Sequence, residues 1–215
     1  MGAASETVFV LEDDPSVRKA LLRLVRSAGY VGVGFSSAED FLNREPCEGP
    51  ACVVLDVKLS GQDGLDVQDT LRNQGADLPI IFLTGCSDIA TCARAIKNGA
   101  IDYFPKPVDD EKLMAAIKTA ISKHKLSLRD SKCENDIRNH LHQLTPREFE
   151  VMVNVIAGSL NKQTAQALHI AEKTVKVHRS HVMEKLKVES VPELVRICAR
   201  VGIEPAGRSW EKMLA

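Results

Sequence analysis

Five side chains carry the chemistry of the first half of this chain: Glu12, Asp13, Asp56, Thr84 and Lys106. Three carboxylates brought together repel one another and stay ionised only beside a cation. Their hard oxygens suit Mg²⁺ or Mn²⁺, which combine a carboxylate or two with phosphate oxygens and water. A carboxylate can also attack phosphorus. Phosphoryl transfer then needs little beyond in-line positioning and charge neutralisation. In this scheme Asp56 attacks, Asp13 and Asp56 hold the ion, and Glu12 acts through water. Lys106 meets the phosphoryl oxygens as a point charge, and Thr84 donates its hydroxyl. Any one of these residues alone reads as a turn former at a strand end. Their recurrence at successive strand ends favours a site.

That chemistry requires elements that bring distant residues to one edge. Short apolar runs at 7–11, 30–35, 51–55, 79–83 and 100–104 read as strands, and amphipathic stretches near 15–28, 37–43, 64–74, 88–98 and 109–123 read as helices. Asp14-Pro15, Ser36 three before Glu39, and Asp109 supply helix starts. The alternation predicts an α/β fold, a doubly wound five-stranded parallel sheet with its site at the carboxyl ends of the strands. Residues 124–143 are polar without a clear apolar stripe and read as a partly helical linker between a domain at 1–123 and another at 144–215. Thr145-Pro146-Arg147-Glu148 has the residues of a capping box. Helices are expected from there at 146–157, 162–169, 172–187 and 190–201, with Gly158 and Gly202 near helix ends.

The composition fits two small globular domains: 215 residues, 44% hydrophobic and 27% charged. No apolar run approaches the roughly 20 residues of a membrane span. No secretory signal is visible, and the six cysteines form no C-x-x-C pair. A cytoplasmic protein with reduced thiols and no membrane partner is expected. Charge divides unevenly: residues 1–124 hold 13 basic and 18 acidic side chains, and residues 144–215 hold 11 and 8. Different partners are expected for the two halves.

Residues 162–187 read as helix, short turn, helix. Val175, Val182 and Leu186 should face a core, which turns Lys173, Lys176, Val177, Ser180 and His181 outward, where such side chains can read base edges. Asn161, Lys162, Thr174, Arg179 and Lys185 are placed to hold phosphates. Charge alone also allows a solvated helical face, since Glu172 and Glu184 share the helix. His178 and His181 are three apart, but no further metal ligand is evident in the sequence.

Two resemblances decide between these readings. Glu12-Asp13-Asp14, Asp56 with Gly64 eight residues on, Leu83-Thr84-Gly85 and Tyr103-Phe104-Pro105-Lys106-Pro107 resemble the CheY-like receiver domain of bacterial response regulators. Leu144-Thr145-Pro146-Arg147-Glu148, Gly158, Asn161-Lys162, and Thr174 to Arg179 with Lys185-Leu186 resemble the LuxR-type helix-turn-helix, a small all-α domain. Together they are most similar to the FixJ subgroup. The resemblance implies phosphorylation of Asp56 by a sensor histidine kinase, with the Lys58 carbonyl completing the metal shell. It implies a cis bond before Pro107 and a switch in which Thr84 moves and Tyr103 turns inward. Relief of receiver inhibition, homodimerisation, promoter DNA binding and work with RNA polymerase would follow. Such a chain is not a dedicated enzyme, although it catalyses its own phosphorylation and dephosphorylation.

Some positions depart from the family pattern. Leu59-Ser60 stand where Met-Pro is frequent, which predicts a less rigid loop. Glu12 replaces the more usual Asp, and Ala171 replaces a frequent Ser cap. Lys58 and Cys86 flank the site and could tune hydrolysis. Phosphorylation-independent DNA binding stays open, as does an Asp-nucleophile phosphatase, although that class needs an acid where Lys58 stands.

Overall fold

The computed structural model describes residues 5–47, 49–85 and 89–205, in two compact units, 1–129 and 130–215. The first unit alternates strands and helices. Its strands are β1 (Thr7–Leu11), β2 (Val31–Phe35), β3 (Ala51–Asp56), β4 (Lys58–Leu59), β5 (Gln62–Asp63), β6 (Ile80–Thr84) and β7 (Asp102–Pro105). Five of these form one parallel sheet in the order β2-β1-β3-β6-β7, and β4 and β5 form a separate hairpin. The central strands β1, β3 and β6 are buried along their whole length, as their unbroken apolar runs require.

Side chains alternate across the sheet. Phe9, Leu11, Val53, Leu55 and Phe82 pack on one face with Phe41, Leu65 and Leu71. Val8, Val10, Val54, Ile81 and Leu83 pack on the other with Leu21, Val25, Leu113 and Ile117. These partners come from α1 (Pro15–Ser27), α2 (Ala38–Leu42), α3 (Gly64–Asn73) and the start of α5 (Asp110–Leu141), while α4 (Ile89–Lys97) adds Ala95.

The chain leaves β1 for β2 on one side and continues through β3, β6 and β7 on the other. The crevice between the carboxyl ends of β1 and β3 is therefore the switch point at which such sheets bind ligands. Register fixes what meets there. Leu11 is level with Leu55, Asp56 with Leu83, and Thr84 with Pro105. Glu12, Asp56, Thr84 and Lys106 thus fall on adjacent strand ends. The bond before Pro107 is cis.

The second unit is helical. It contains α6 (Pro146–Ile156), α7 (Asn161–Ala167), α8 (Glu172–Lys185) and α9 (Val191–Arg200). Val151, Met152, Val155, Val175, Val182, Leu186, Leu194 and Cys198 form its core, with Ile137 and Leu141 from the end of α5. Val175 and Val182 of α8 and Leu186 at its C-cap, all expected inside, are buried.

Caps largely follow the sequence. Asp14 accepts from the Ser16 and Val17 N–H groups, Asp109 from Lys112, and Thr145 and Glu148 form a reciprocal capping box. Ser37, not Ser36, caps α2, because its hydroxyl reaches the Asp40 N–H at 3.1 Å. The fifth helix does not stop near residue 123 but continues to Leu141. No glycine or proline interrupts residues 108–145. The segment after Asp56 forms the β4–β5 hairpin.

Candidate functional site: an acidic crevice and a basic helix

Glu12 and Asp56 are almost sealed from solvent, at 2% and 7% exposure. Lys106 bridges them, with Nζ 2.6 Å from Glu12 Oε2 and 2.7 Å from Asp56 Oδ2. One ammonium thus supplies the positive charge that two buried carboxylates need. Burial still pushes the Glu12 carboxyl above its ordinary pKa, with the Lys106 hydrogen bond opposing and Asp56 adding to the rise. Burial also works against the Lys106 charge, but the two carboxylates outweigh it and raise the lysine's pKa. The Lys58 N–H donates to Asp56 Oδ1 at 3.1 Å, while the lysine itself is exposed. Thr84 is buried at the end of β6, and its carbonyl accepts from the Lys106 N–H at 2.6 Å.

Asp13 sits at the rim. Ser60 donates to Asp13 Oδ2 twice, from its hydroxyl at 2.5 Å and from its backbone N–H at 3.0 Å. The Ser60 hydroxyl is the main reason the Asp13 carboxyl lies below its usual pKa. One oxygen from each of Glu12, Asp13 and Asp56 lies within 4.8 Å of the others. The spacing and the all-oxygen donor set fit a hard divalent cation such as Mg²⁺ or Mn²⁺. Tyr103 packs against Phe82, ring centroids 6.2 Å apart, and among the described residues its buried hydroxyl has no hydrogen-bond partner. Cys86 lies outside the described residues.

In the second unit, Lys173, Thr174, Lys176, Val177, Ser180 and His181 form the exposed side of α8. Lys162 is exposed on α7, and half-buried Arg179 donates to Asn161 Oδ1 at 3.3 Å, tying α8 to the start of α7. An α-helix presenting such a face fits the major groove of DNA.

Lys185 has partners that the sequence does not show. Its ammonium reaches Glu148 Oε2 at 2.6 Å and the Gln143 carbonyl at 3.2 Å, so it also holds the domain together. The physical reason is Glu148, a carboxylate at 4% exposure that needs a cation. Burial alone would raise the Glu148 pKa, but Lys185 and the Thr145 N–H pull it down to about 2. Glu148 also stands near His178 and His181, so the histidine pair does have a carboxylate neighbour.

Comparison with known proteins agrees with both halves. Residues 8–118 match the response regulator receiver domain, and residues 142–198 match the luxR family of bacterial regulatory proteins. Transcriptional regulatory protein FixJ of Bradyrhizobium diazoefficiens is 35% identical over 91% of this chain and 96% of its own length. The chain belongs to the response regulators of the FixJ type. Response regulator protein TodT of Pseudomonas putida is 40% identical over 201 residues, covering 94% of this chain and 88% of TodT. The solved structure of response regulator StyR superposes with a TM-score of 0.82 at 38% identity, covering 92% of this chain and all of that one.

Within this response regulator, sequence reasoning missed two residues at the acidic site. Arg18 donates to the Glu12 carbonyl at 2.6 Å and the Asp13 carbonyl at 3.1 Å, fixing the backbone that carries both acids. Its place one turn into the helix after the acidic run was the available signal. Ser60 stood out only as a departure from the family pattern, and its contact with Asp13, 47 residues away, had no local signal.

Proposed function

We propose that this response regulator is a two-component transcription factor switched by phosphorylation of Asp56. An Asp56 oxygen bonds to phosphorus as the P–N bond of a sensor kinase's phosphohistidine breaks. The imidazole leaves with the electron pair and takes up a proton. Glu12, Asp13, Asp56 and the Lys58 carbonyl are the proposed holders of Mg²⁺ or Mn²⁺. When bound, that ion offsets the charge developing on the phosphoryl oxygens. Lys106 releases a carboxylate and turns its ammonium to the phosphoryl group, and Thr84 donates its hydroxyl. The change at Thr84 and Tyr103 relieves inhibition by the receiver and favours a homodimer. Two α8 helices then read related half-sites in promoter DNA, with RNA polymerase the downstream partner. The bases fall to Lys173, Lys176, Val177, Ser180 and His181. The phosphates fall to Asn161, Lys162, Thr174 and Arg179.

The observation that carries this reading is the lysine-bridged pair Glu12–Lys106–Asp56 beside Asp13. Buried carboxylates held by a movable ammonium at a switch-point crevice suit an incoming dianion. Intact mass after treatment with acetyl phosphate and Mg²⁺ tests it, with Asp56→Asn alongside. One phosphoryl group on the wild type alone is expected, followed by self-association in sedimentation velocity and tighter binding to DNA selected from a random pool. A stable wild type that gains no phosphoryl group from acetyl phosphate or from histidine-phosphorylated kinases overturns the switch. DNA binding indifferent to the phosphodonor overturns the coupling.

A further inference from the structure

The hairpin after Asp56 reaches the acidic site in a way that phosphoryl transfer itself does not demand. Leu59 pairs with Gln62, so Ser60 and Gly61 are the central residues of the turn. Gly61 has φ +97°, the left-handed conformation that the second central position of a type II turn requires. The first central position readily takes proline. Here it is serine, so it keeps an N–H that proline would lack, and it adds a hydroxyl. Both donors converge on Asp13 Oδ2.

The other end of the hairpin is tied as well. The Gly64 N–H donates to the Val57 carbonyl at 2.7 Å. A Cβ at Gly64 would lie 2.4 Å from the Asp56 carbonyl oxygen, so the chain passes hard against the strand end. The hairpin is therefore fastened to the strand carrying Asp56 at its base and to Asp13 at its tip. It spans the two carboxylates from different strands that the cation site needs together.

We propose that Ser60 is a positioning residue for the cation site: its two hydrogen bonds orient the Asp13 carboxylate toward Glu12 and Asp56 and raise affinity for Mg²⁺ above that of the same chain with proline at position 60. This rests on the reading of Glu12, Asp13 and Asp56 as the Mg²⁺ site. A carboxylate has lone pairs enough to accept from Ser60 and still ligate an ion. Hydrogen bonds that orient metal ligands are typically worth 10–100-fold in affinity, and the exposed position of Ser60 sets the low end, about tenfold.

Calorimetric titration of the full chain with Mg²⁺, and separately Mn²⁺, tests this without any phosphodonor. The variants are Ser60→Ala, Ser60→Thr, Ser60→Pro and Asp13→Asn, each first shown by thermal unfolding in EDTA to be folded. Ser60→Ala keeps the N–H and should bind about threefold more weakly, Ser60→Pro about tenfold more weakly, and Ser60→Thr within about twofold of wild type. Wild-type affinity in both Ser60→Ala and Ser60→Pro, with binding abolished in Asp13→Asn, overturns the positioning role and leaves the cation site standing. Tighter binding in Ser60→Ala also overturns it, since Ser60 would then compete with the ion for Asp13. Wild-type protein without saturable, Asp13-dependent Mg²⁺ binding overturns the cation site itself and the Ser60 role with it.

Discussion

Lys106→Met removes the ammonium that lies 2.6 Å from Glu12 and 2.7 Å from Asp56 and leaves two nearly sealed carboxylates facing one another. Breaking one side of a buried ion pair costs about 3–5 kcal/mol. The Lys106 side chain is 24% exposed, so solvent screening moves the expectation to the low end. A ceiling comes from the escape route, in which Glu12 takes up a proton. Starting from its ordinary value of 4.5, that costs about 3.4 kcal/mol at pH 7. The receiver should therefore lose about 2–3 kcal/mol, which shifts its urea midpoint down by roughly 1–2 M. The measurement belongs in EDTA, because a bound divalent ion would replace the missing charge. Near-ultraviolet circular dichroism of Tyr30 and Tyr103, the chain's two tyrosines, reports on the receiver. A midpoint within about 0.3 M of wild type would refute the claim that Lys106 neutralises the buried acids.

Three further outcomes follow from single features. Gly64→Ala drives a Cβ into the backbone oxygen of Asp56 and should destabilise the receiver by about 1–3 kcal/mol in the same urea assay, with slower acetyl phosphate labelling. Ala171 caps α8 with extended backbone but no side-chain acceptor, so Ala171→Ser should stabilise the LuxR-type domain by about 1 kcal/mol in thermal unfolding followed at 222 nm. The depressed Glu148 pKa makes its contribution to stability complete above pH 4.5. That contribution is lost as pH falls toward about 2, where the folded carboxylate takes up its proton. An acid titration of helical signal should show loss in that window, and Glu148→Gln should flatten it.

Glu12, Asp56, Thr84 and Lys106 were legible because each follows or ends an apolar run, and a parallel sheet aligns such ends whatever lies between them. The buried stripe of α8 was legible from spacing, and the Thr145 capping box from four consecutive residues. The contacts of Ser60 and Lys185 were not, because each depends on a partner far off in sequence. Lys185 has the composition of a phosphate contact, and nothing local announces its ion pair with the buried Glu148, 37 residues away. The length of α5 was hidden for another reason. Residues 124–141 carry no clear apolar stripe, so periodicity is silent, and only the lack of a breaker speaks for helix.

Among the described residues, the buried hydroxyl of Tyr103 has no hydrogen-bond partner. Stripping a hydroxyl of water without giving it a new partner costs about 1–3 kcal/mol. The half-buried ring packed against Phe82 contributes at most about 1.5–3 kcal/mol the other way. The two are of similar size, so the ring is held in this position by a thin margin. Phenylalanine at this position would carry the apolar gain without the polar debt and would settle inside. In the switch proposed above, the phenolic oxygen would act as ballast, keeping two side-chain positions close enough in free energy for a small push elsewhere in the receiver to choose between them.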